Sequence, residues 1–336
     1  MKNIFLLIIT VVVLSIASCT NRVPEYSSFN GFAQGTTYSM VFENRGRTNA
    51  EEVKSQVERI LNDFDMSLSL YKDSSILSKV NRNEDVVVDP YFEKAFRTSE
   101  EISALTGGAF DITVGPLVKA WGFGPDAHRN MTDSKRDSLL KLVGMDKVEL
   151  RNGKVIKADP RITLDFNAIA QGYSVDVISD YFDACGFKSY LVEIGGEVRV
   201  TGDKGGVLWR IGIDRPADNN NFPGRDLEAV ISLKDRALAT SGNYRKFYIE
   251  NGVKYSHTID PRTGDPAKNT LLSATVVASD CASADGIATA CMVMGKEKAI
   301  EFIGSHPEFD AFFVYSDKNG NFETWTSENL KRFISE

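Results

Sequence analysis

The sequence lacks the short motifs by which several common classes of enzyme are recognised. No GxGxxG follows a strand-like segment, which argues against a Rossmann dinucleotide site, and no GxxxxGK[ST] of a P-loop is present. The four cysteines include no CxxC pair, so neither a metal cluster nor a disulfide framework is indicated. Histidine is scarce, with three in 336 residues. Any catalytic site has to be sought in other patterns.

Charge of one sign is not concentrated anywhere in the chain. The formal net charge is −7, and acidic and basic residues are interleaved without a basic stripe. Since nucleic-acid-binding proteins carry a clustered positive surface, nucleic acid is not expected as a partner.

Long apolar runs are absent except at the N-terminus, which reads MKNIFLLIITVVVLSIASC. Its apolar run, Ile4 to Ile16, is shorter than the roughly 20 residues that a membrane-spanning helix needs, and it has the form of a secretory signal. The last four residues, ending at Cys19, resemble a bacterial lipobox. We therefore expect a signal peptide at 1–18, a lipid-modified Cys19, a polar tether at 19–30 and one domain at 31–336. A plain signal peptide or a retained anchor are the alternatives.

The remaining cysteines, Cys185, Cys281 and Cys291, are odd in number and are expected to be buried free thiols.

Hydrophobic spacing predicts helices over residues 50–65 and 91–105, and a shorter helix after Thr132. Strand-like segments dominate the second half, and Asn-Gly pairs at Asn152, Asn251 and Asn319 indicate hairpins. Because hairpins outnumber βαβ units, the sequence predicts an α+β fold with antiparallel sheets and packed helices.

The segment SDCASADGIATACMVMG predicts a helix that begins near Cys281 and ends at Gly295. Asp285 and Thr289 are four residues apart and share one face among small residues. A carboxylate and a hydroxyl suit a hard cation such as Mg²⁺ that also binds phosphate oxygens. The small residues are equally consistent with tight helix packing.

The segment YSHTIDPRTG places His257 on a strand-like run before a turn made by Asp260, Pro261 and Gly264. The turn would serve any hairpin between the flanking strand-like segments. His257 is either a core histidine or a base near neutral pH.

In order along the chain, these pieces resemble the ApbE-like family of FAD:protein FMN transferases, once described as thiamine-biosynthesis lipoproteins. The resemblance extends from Gln34 to Gly295. The stretches that carry it are QGTTYSM, LYKDSSILSKVN, TGGAFDITVGPLVKAWGFG, LDFNAIAQGYSVD, EIGGEVRVTG, SHTIDPRTGDP and ADGIATACMVMG.

The resemblance implies a two-lobed fold, related to the T-fold, with FAD between the lobes and Mg²⁺ on its pyrophosphate. The implied metal ligands are the Asp285 carboxylate, the Thr289 hydroxyl and the backbone carbonyl of Ala168. The implied FAD contacts are Gln34, Tyr71, Ala109, Phe110, Asp111, Asp165, Gln171, Ile259 and Ala288. Family members often have Lys at the position of Gln171, and some have an apolar residue at that of Gln34, so these two contacts depart from the pattern.

The activity implied is Mg²⁺-dependent transfer of FMN from FAD to a Thr or Ser hydroxyl of a target protein, with release of AMP. His257 would accept the hydroxyl proton or stabilise charge on the phosphoryl group, unless its role is structural. The alternatives are an FAD pyrophosphatase that gives FMN and AMP, and a non-catalytic lipoprotein that binds flavin.

The resemblance also implies where the protein acts. The implied partners are subunits of redox pumps or extracytosolic electron-transfer proteins. The implied location is the bacterial cell envelope, as a membrane-anchored lipoprotein that faces the periplasm, with the inner membrane favoured.

Overall fold

The computed structural model describes residues 25–335, except positions 45, 47, 124–130, 217–223, 244–246, 251–252 and 257. Within these residues the chain forms fifteen β-strands and eight α-helices. None of these helices combines the length and the apolar character needed to cross a bilayer. The α+β class with antiparallel sheets, predicted from the sequence, is confirmed.

The main sheet has eight strands, and every neighbouring pair in it is antiparallel. Its first strand begins at Tyr26, so the sheet includes residues that the sequence assigns to the tether. In spatial order the strands are β1 (Tyr26–Ala33), β2 (Thr36–Glu43), β5 (Tyr190–Ile194), β6 (Glu197–Thr201), β9 (Arg236–Gly242), β12 (Leu271–Ala278), β13 (Asp310–Ser316) and β14 (Phe322–Thr326).

A second, three-stranded sheet covers one face of the main sheet through buried apolar side chains such as Trp209, Ile231, Leu238 and Phe312. Two hairpins stand apart from both sheets. The second sheet contains β7 (Trp209–Asp214), β8 (Leu227–Leu233) and β15 (Ile334–Ser335), and the hairpins are β3 (Val148–Arg151) with β4 (Lys154–Lys157) and β10 (Phe247–Glu250) with β11 (Val253–Ser256).

Helices pack against the opposite face of the main sheet, so the molecule has three layers. Short 3₁₀ helices occur at Ile112–Val114, Met145–Lys147 and Lys331–Phe333. The α-helices are α1 (Ala50–Leu68), α2 (Ile76–Asn81), α3 (Pro90–Leu105), α4 (Gly115–Ala120), α5 (Asp133–Leu140), α6 (Ala170–Ala184), α7 (Cys281–Met294) and α8 (Lys296–Ser305).

The surface helices follow their sequence signals. α1 buries the apolar positions that repeat at helical spacing, and Asn49 caps its N-terminus by accepting the Glu51 N–H. Asp89 and Thr132 cap α3 and α5 in the same way. The hairpin predicted at Asn152 is the β3–β4 turn, where Asn152 has a φ of +52°. These predictions are confirmed.

Helix α7 lies at the centre of the molecule, with eleven of its fourteen residues buried. It contacts β9, β12, α6 and α3. Small side chains allow these neighbours to approach closely: a Cβ built on Gly286 would lie 2.6 Å from Cδ1 of Ile102. The bounds predicted from the sequence are confirmed, and Asp280 is the N-cap. Tight helix packing, one of the two interpretations of the small residues, is therefore present.

Two expectations were wrong. Cys281 and Cys291 are buried free thiols as predicted, but Cys185 is exposed because it directly follows α6 on the protein surface. The strands β11 and β12 that flank the Asp260–Gly264 turn do not pair with each other, so the turn does not close a hairpin between them. The predicted turn at Asn251 lies outside the described residues.

Candidate active site

The crossing of α6 and α7 forms the centre of the candidate site. A Cβ built on Gly172, in the first turn of α6, would lie 2.3 Å from the carbonyl oxygen of Cys281 and 2.8 Å from Cβ of Asp285. Only glycine permits this approach, which lets the Gly172 N–H donate to Oδ2 of Asp285 at 3.0 Å. Gly172 is the third residue of α6, and the first amides of a helix have no acceptor within it, so Asp285 supplies one for the Gly172 N–H.

Asp285 is a buried carboxylate without a counter-charge. The residue is 6% exposed, and no ion pair to it is found among the described residues. Burial raises the pKa of this carboxyl from 3.8 to about 7, although the hydrogen bond from Gly172 opposes the rise. A nearby cation would favour the ionised form, so the electrostatics of the site suit a positively charged ligand.

Two further oxygen atoms accompany this carboxylate. Thr289 lies one turn further along α7, and its Oγ1 is 2.9 Å from Oγ of Ser241 at the end of β9. Ala168 lies two residues before α6. A carboxylate, a hydroxyl and a carbonyl are the ligand types that Mg²⁺ prefers.

No group of three or more His, Cys, Asp or Glu side chains suited to a metal is found in the part of the chain that the structure describes. A cation at Asp285 would therefore need phosphate or water oxygens to complete its shell. The residues present fit a hard cation bound together with a phosphate-bearing ligand.

Gln171 lies beside this crossing, in the first turn of α6. Its Nε2 donates to the carbonyl of Ile194 at 3.1 Å. A Cβ built on Gly195, whose φ is +67°, would lie 1.5 Å from that nitrogen. The glycine at the β5–β6 turn thus makes room for the Gln171 side chain.

Gln34 comes from the β1–β2 turn, where its backbone has a φ of +53°. Its Oε1 accepts a hydrogen bond from Ser174 on α6 at 3.2 Å. Its Nε2 is buried without an acceptor at full hydrogen-bonding geometry, but the Gln34 amide lies close enough to Asp65 to oppose the rise that burial causes in the pKa of that carboxyl. A buried amide nitrogen with a free donor is suited to an acceptor atom of a ligand.

Residues 109–111 lie in the loop between α3 and α4. Ala109 and Phe110 are buried in the core. The Asp111 carboxylate accepts hydrogen bonds from the N–H and hydroxyl of Thr113 at 2.7 and 2.6 Å, and from the Met145 N–H at 3.1 Å. Burial nevertheless raises its pKa. Since its oxygens are already occupied, Asp111 shapes the loop rather than offering a free carboxylate.

Asp165 and Tyr71 form a neighbouring part of the site. The Asp165 N–H donates to the Ile112 carbonyl at 2.7 Å, and its Oδ1 accepts the Asn167 N–H at 2.8 Å. Tyr71 is 68% exposed, and partial burial together with the charge of Asp165 raises the pKa of its phenol. An exposed tyrosine ring beside buried polar groups is suited to cover a flat ligand.

Ile259 lies further from the crossing. It is buried in an apolar cluster with Leu117 and Val143, separate from the core around α7. The following turn is held by the Gly264 N–H, which donates to the Asp260 carbonyl at 2.8 Å, and by Trp121, whose Nε1 donates to the Gly264 carbonyl at 2.7 Å.

The structure thus joins Asp285, Thr289, Ala168, Gln171 and Gln34 through α6 and α7. Ala288 is fully buried on α7, directly before Thr289. His257 and Cys19 lie outside the described residues, so the roles predicted for them stay predictions.

Sequence reasoning missed Ser241, Gly172 and Gly195. Ser241 lies in a Ser-Gly-Asn run that ends β9, which was the only signal for it. Gly172 and Gly195 lie in quoted motifs, but their importance depends on partners distant in sequence.

Comparison with known proteins places these residues in context. Residues 34–313 match the ApbE family. An FAD:protein FMN transferase of Vibrio cholerae is 33% identical over 329 residues, which cover 96% of each chain. A protein of the same name from Haemophilus influenzae is 34% identical over 332 residues, 95% of this chain and 94% of its own.

Solved structures agree with the sequence comparison. The flavin transferase ApbE from Vibrio cholerae superposes with a TM-score of 0.82 at 33% identity, covering 92% of this chain and 99% of that one. The apo form of the flavinyl transferase ApbE from Pseudomonas stutzeri has a TM-score of 0.82 at 31% identity, covering 92% and 97%.

Proposed function

Because the chain belongs to the ApbE family, we propose that it is an FAD:protein FMN transferase, which moves FMN from FAD to a Thr or Ser hydroxyl of a target protein. The observation that carries the proposal is Asp285, a buried carboxylate that faces no cation among the residues that the structure describes and shares the α6–α7 crossing with other oxygen groups. A divalent cation bound together with a flavin dinucleotide would supply the missing positive charge.

In this reaction the acceptor hydroxyl oxygen attacks the phosphorus of the FMN half of FAD. The bond from that phosphorus to the bridging oxygen breaks, AMP leaves with the bridging oxygen, and the hydroxyl proton passes to a base. Asp285, Thr289 and the Ala168 carbonyl are the residues that would hold Mg²⁺. When bound, Mg²⁺ neutralises charge on the diphosphate.

The other residues bind and orient the dinucleotide. The Gln34 amide offers a buried donor, the exposed ring of Tyr71 covers the ligand, and Gln171 is held against Gly195 at the turn after β5. Gln171 adds no charge, so binding at this position depends on hydrogen bonds rather than on ion pairing. We assign the role of proton acceptor to His257, which the sequence places just before the Asp260–Gly264 turn.

We also propose that Cys19 is lipid-modified and tethers the enzyme to the periplasmic side of the inner membrane. The run from Ile16 to Cys19 supports this. The acceptors are then flavinylated redox-pump subunits or extracytosolic electron-transfer proteins. Radiolabelled palmitate should enter the wild-type chain in cells and should not enter Cys19→Ala.

The activity is tested by incubating the protein with FAD, Mg²⁺ and a candidate acceptor. The expected result is an acceptor mass increased by one FMN, in step with AMP release, and lost with EDTA. AMP release at the same rate without acceptor would instead indicate a pyrophosphatase. Flavin that stays intact and noncovalent in every arm would indicate a binding protein.

A further inference from the structure

The N-terminus of α7 is held by another helix. The N–H groups of Cys281 and Ala282 donate to the two carboxylate oxygens of Asp176 on α6, at 2.9 and 2.8 Å. The next N–H, of Ser283, donates to the N-cap Asp280 at 2.8 Å. The first amides of a helix have no partner within it, so Asp176 supplies acceptors that α7 cannot supply itself.

The contact between the two helices is reciprocal. Asp176 lies one turn after Gly172, whose N–H donates to Asp285 on α7. Each helix therefore directs N-terminal amides at a carboxylate of the other. Arg199 on β6 donates to Oδ1 of Asp176 at 2.8 Å, and Asp176 is buried, so the carboxylate is fixed from a third element.

This arrangement bears on the cation site of the proposed function. The Ala168 carbonyl lies two residues before α6, whereas Asp285 and Thr289 are on α7. The distance between these two sets of oxygens is set by how α7 lies against α6. Groups that orient metal ligands without touching the metal commonly change metal affinity by 10- to 100-fold.

We propose that Asp176 is a positioning residue, which holds α7 at the height and rotation at which Asp285 and Thr289 meet the carbonyl of Ala168 around a divalent cation. The inference rests on the proposed function, because that function supplies the cation. The inference assigns to Asp176, which does not itself bind the cation, a role in setting how tightly the ligands bind the cation.

The test compares two substitutions that both weaken the N-terminus of α7. Asp176→Asn keeps the shape of the side chain but replaces one acceptor oxygen by an NH₂ group that faces an N–H donor. Asp280→Ala removes the cap of the same helix and leaves both oxygens of Asp176 in place to accept the Cys281 and Ala282 N–H groups. Each loses a helix-capping contact, for which about 1 kcal/mol is typical, and Asp176→Asn also removes the charge paired with Arg199, so the stability of both variants is measured beside their Mg²⁺ midpoints.

Mg²⁺ is titrated into each full-length variant with FAD at a fixed concentration, and FAD binding is followed by quenching of flavin fluorescence. Thermal unfolding of the same samples reports stability. The Mg²⁺ concentration at half-saturation should rise about 10-fold in Asp176→Asn and less than 2-fold in Asp280→Ala. FMN transfer by Asp176→Asn should recover towards the wild-type rate at high Mg²⁺.

Equal Mg²⁺ midpoints in the two variants would overturn the proposal, as would a wild-type protein whose FAD binding ignores Mg²⁺. If Asp176→Asn does not fold, Arg199→Gln replaces it. This variant leaves both acceptor oxygens but frees the carboxylate to move, and its midpoint should shift in the same direction. Wild-type transfer of FMN to an acceptor is scored separately, so the proposed function can hold even if Asp176 proves purely structural.

Discussion

Asp285 is a buried carboxyl group with no basic side chain paired to it in the described part of the chain. A buried ionised carboxylate without a partner costs free energy, and such costs persist where function needs the charge. The unfavourable burial is consistent with a site whose stabilising cation arrives with the substrate.

Replacement of Asp285 by Asn is therefore expected to have opposite effects on stability and on activity. In EDTA, the free energy of unfolding should rise by about 1–3 kcal/mol, because the amide removes the charge and still accepts the Gly172 N–H. FMN transfer should fall at least about 100-fold, because a proposed metal ligand is lost. Urea unfolding and acceptor mass spectrometry measure the two effects.

The matched control is Asp310→Asn. Asp310 is equally buried but lies 3.4 Å from Arg236 and accepts the Ser327 hydroxyl, so removal of its charge leaves a cation without its partner. This variant should lose stability and keep its Mg²⁺ dependence. If Asp285→Asn were less stable than wild type, burial of the Asp285 carboxylate would not be unfavourable, contrary to this prediction.

The glycine pair at the β5–β6 turn offers a second test at the level of single residues. Both glycines have positive φ, but a Cβ at Gly195 would displace Gln171 whereas one at Gly196 meets nothing within 4 Å. Gly195→Ala should weaken FAD binding about 10-fold, and Gly196→Ala should lower only stability, by about 1 kcal/mol. Isothermal titration with FAD measures the difference. Equal FAD affinities would show that the Gln171 position does not matter for binding.

At the level of elements, the close approach of α6 to α7 requires a residue without a side chain at Gly172. Gly172→Ala would force Cβ into the Cys281 carbonyl, so we expect a loss of about 2–3 kcal/mol and weaker Mg²⁺ binding. The control is Gly304→Ala in α8, where a Cβ meets nothing within 4 Å. Higher helix propensity should leave that variant unchanged or stabilise it by up to about 0.5 kcal/mol. Denaturant unfolding measures the stability of both variants. A Gly172→Ala protein as stable as wild type would contradict the close approach of the two helices.

The contact of Asp176 with α7 also predicts a pH dependence. Burial, and next the charge of Asp280, outweigh the amides and Arg199 and raise the pKa of Asp176 to about 6. A raised carboxyl pKa contributes stability that is complete below pH 4 and is lost as the pH rises through 6. The unfolding free energy of wild type minus that of Asp176→Asn should therefore fall by about 2–3 kcal/mol between pH 4 and 7. A difference that stays flat or grows would contradict this.

Helix and strand positions were largely predictable because they depend on local signals. The spacing of Val53, Val57, Leu61 and Phe64, and the turn at Asn152, are visible in a short window of sequence. The contacts of the site were not predictable in this way. Asp176 and Cys281 are 105 residues apart, and only the folded sheet brings their helices together. The family resemblance supplied the candidate ligands, but not the crossing that holds them.

At the level of the whole molecule, no disulfide links the three layers in the part of the chain that is described. Stability rests on packing, so a reductant should leave the unfolding temperature unchanged. In the native protein, alkylation followed by peptide mapping should label Cys185 rapidly, and should label Cys281 and Cys291 only after unfolding, because both are buried. Rapid labelling of either buried thiol would contradict the placement of α7 in the core.

If Cys19 carries a lipid as proposed, the early start of β1 limits how far the enzyme can work from the bilayer. Strand β1 begins at Tyr26, only a few residues after the Cys19 proposed to carry the lipid. A fully extended chain spans at most about 3.5 Å per residue, so the segment from Cys19 to Tyr26 can reach about 25 Å at most. The folded domain would then stay within a thin layer next to the lipid headgroups, and acceptor proteins would have to present their hydroxyl group within that layer.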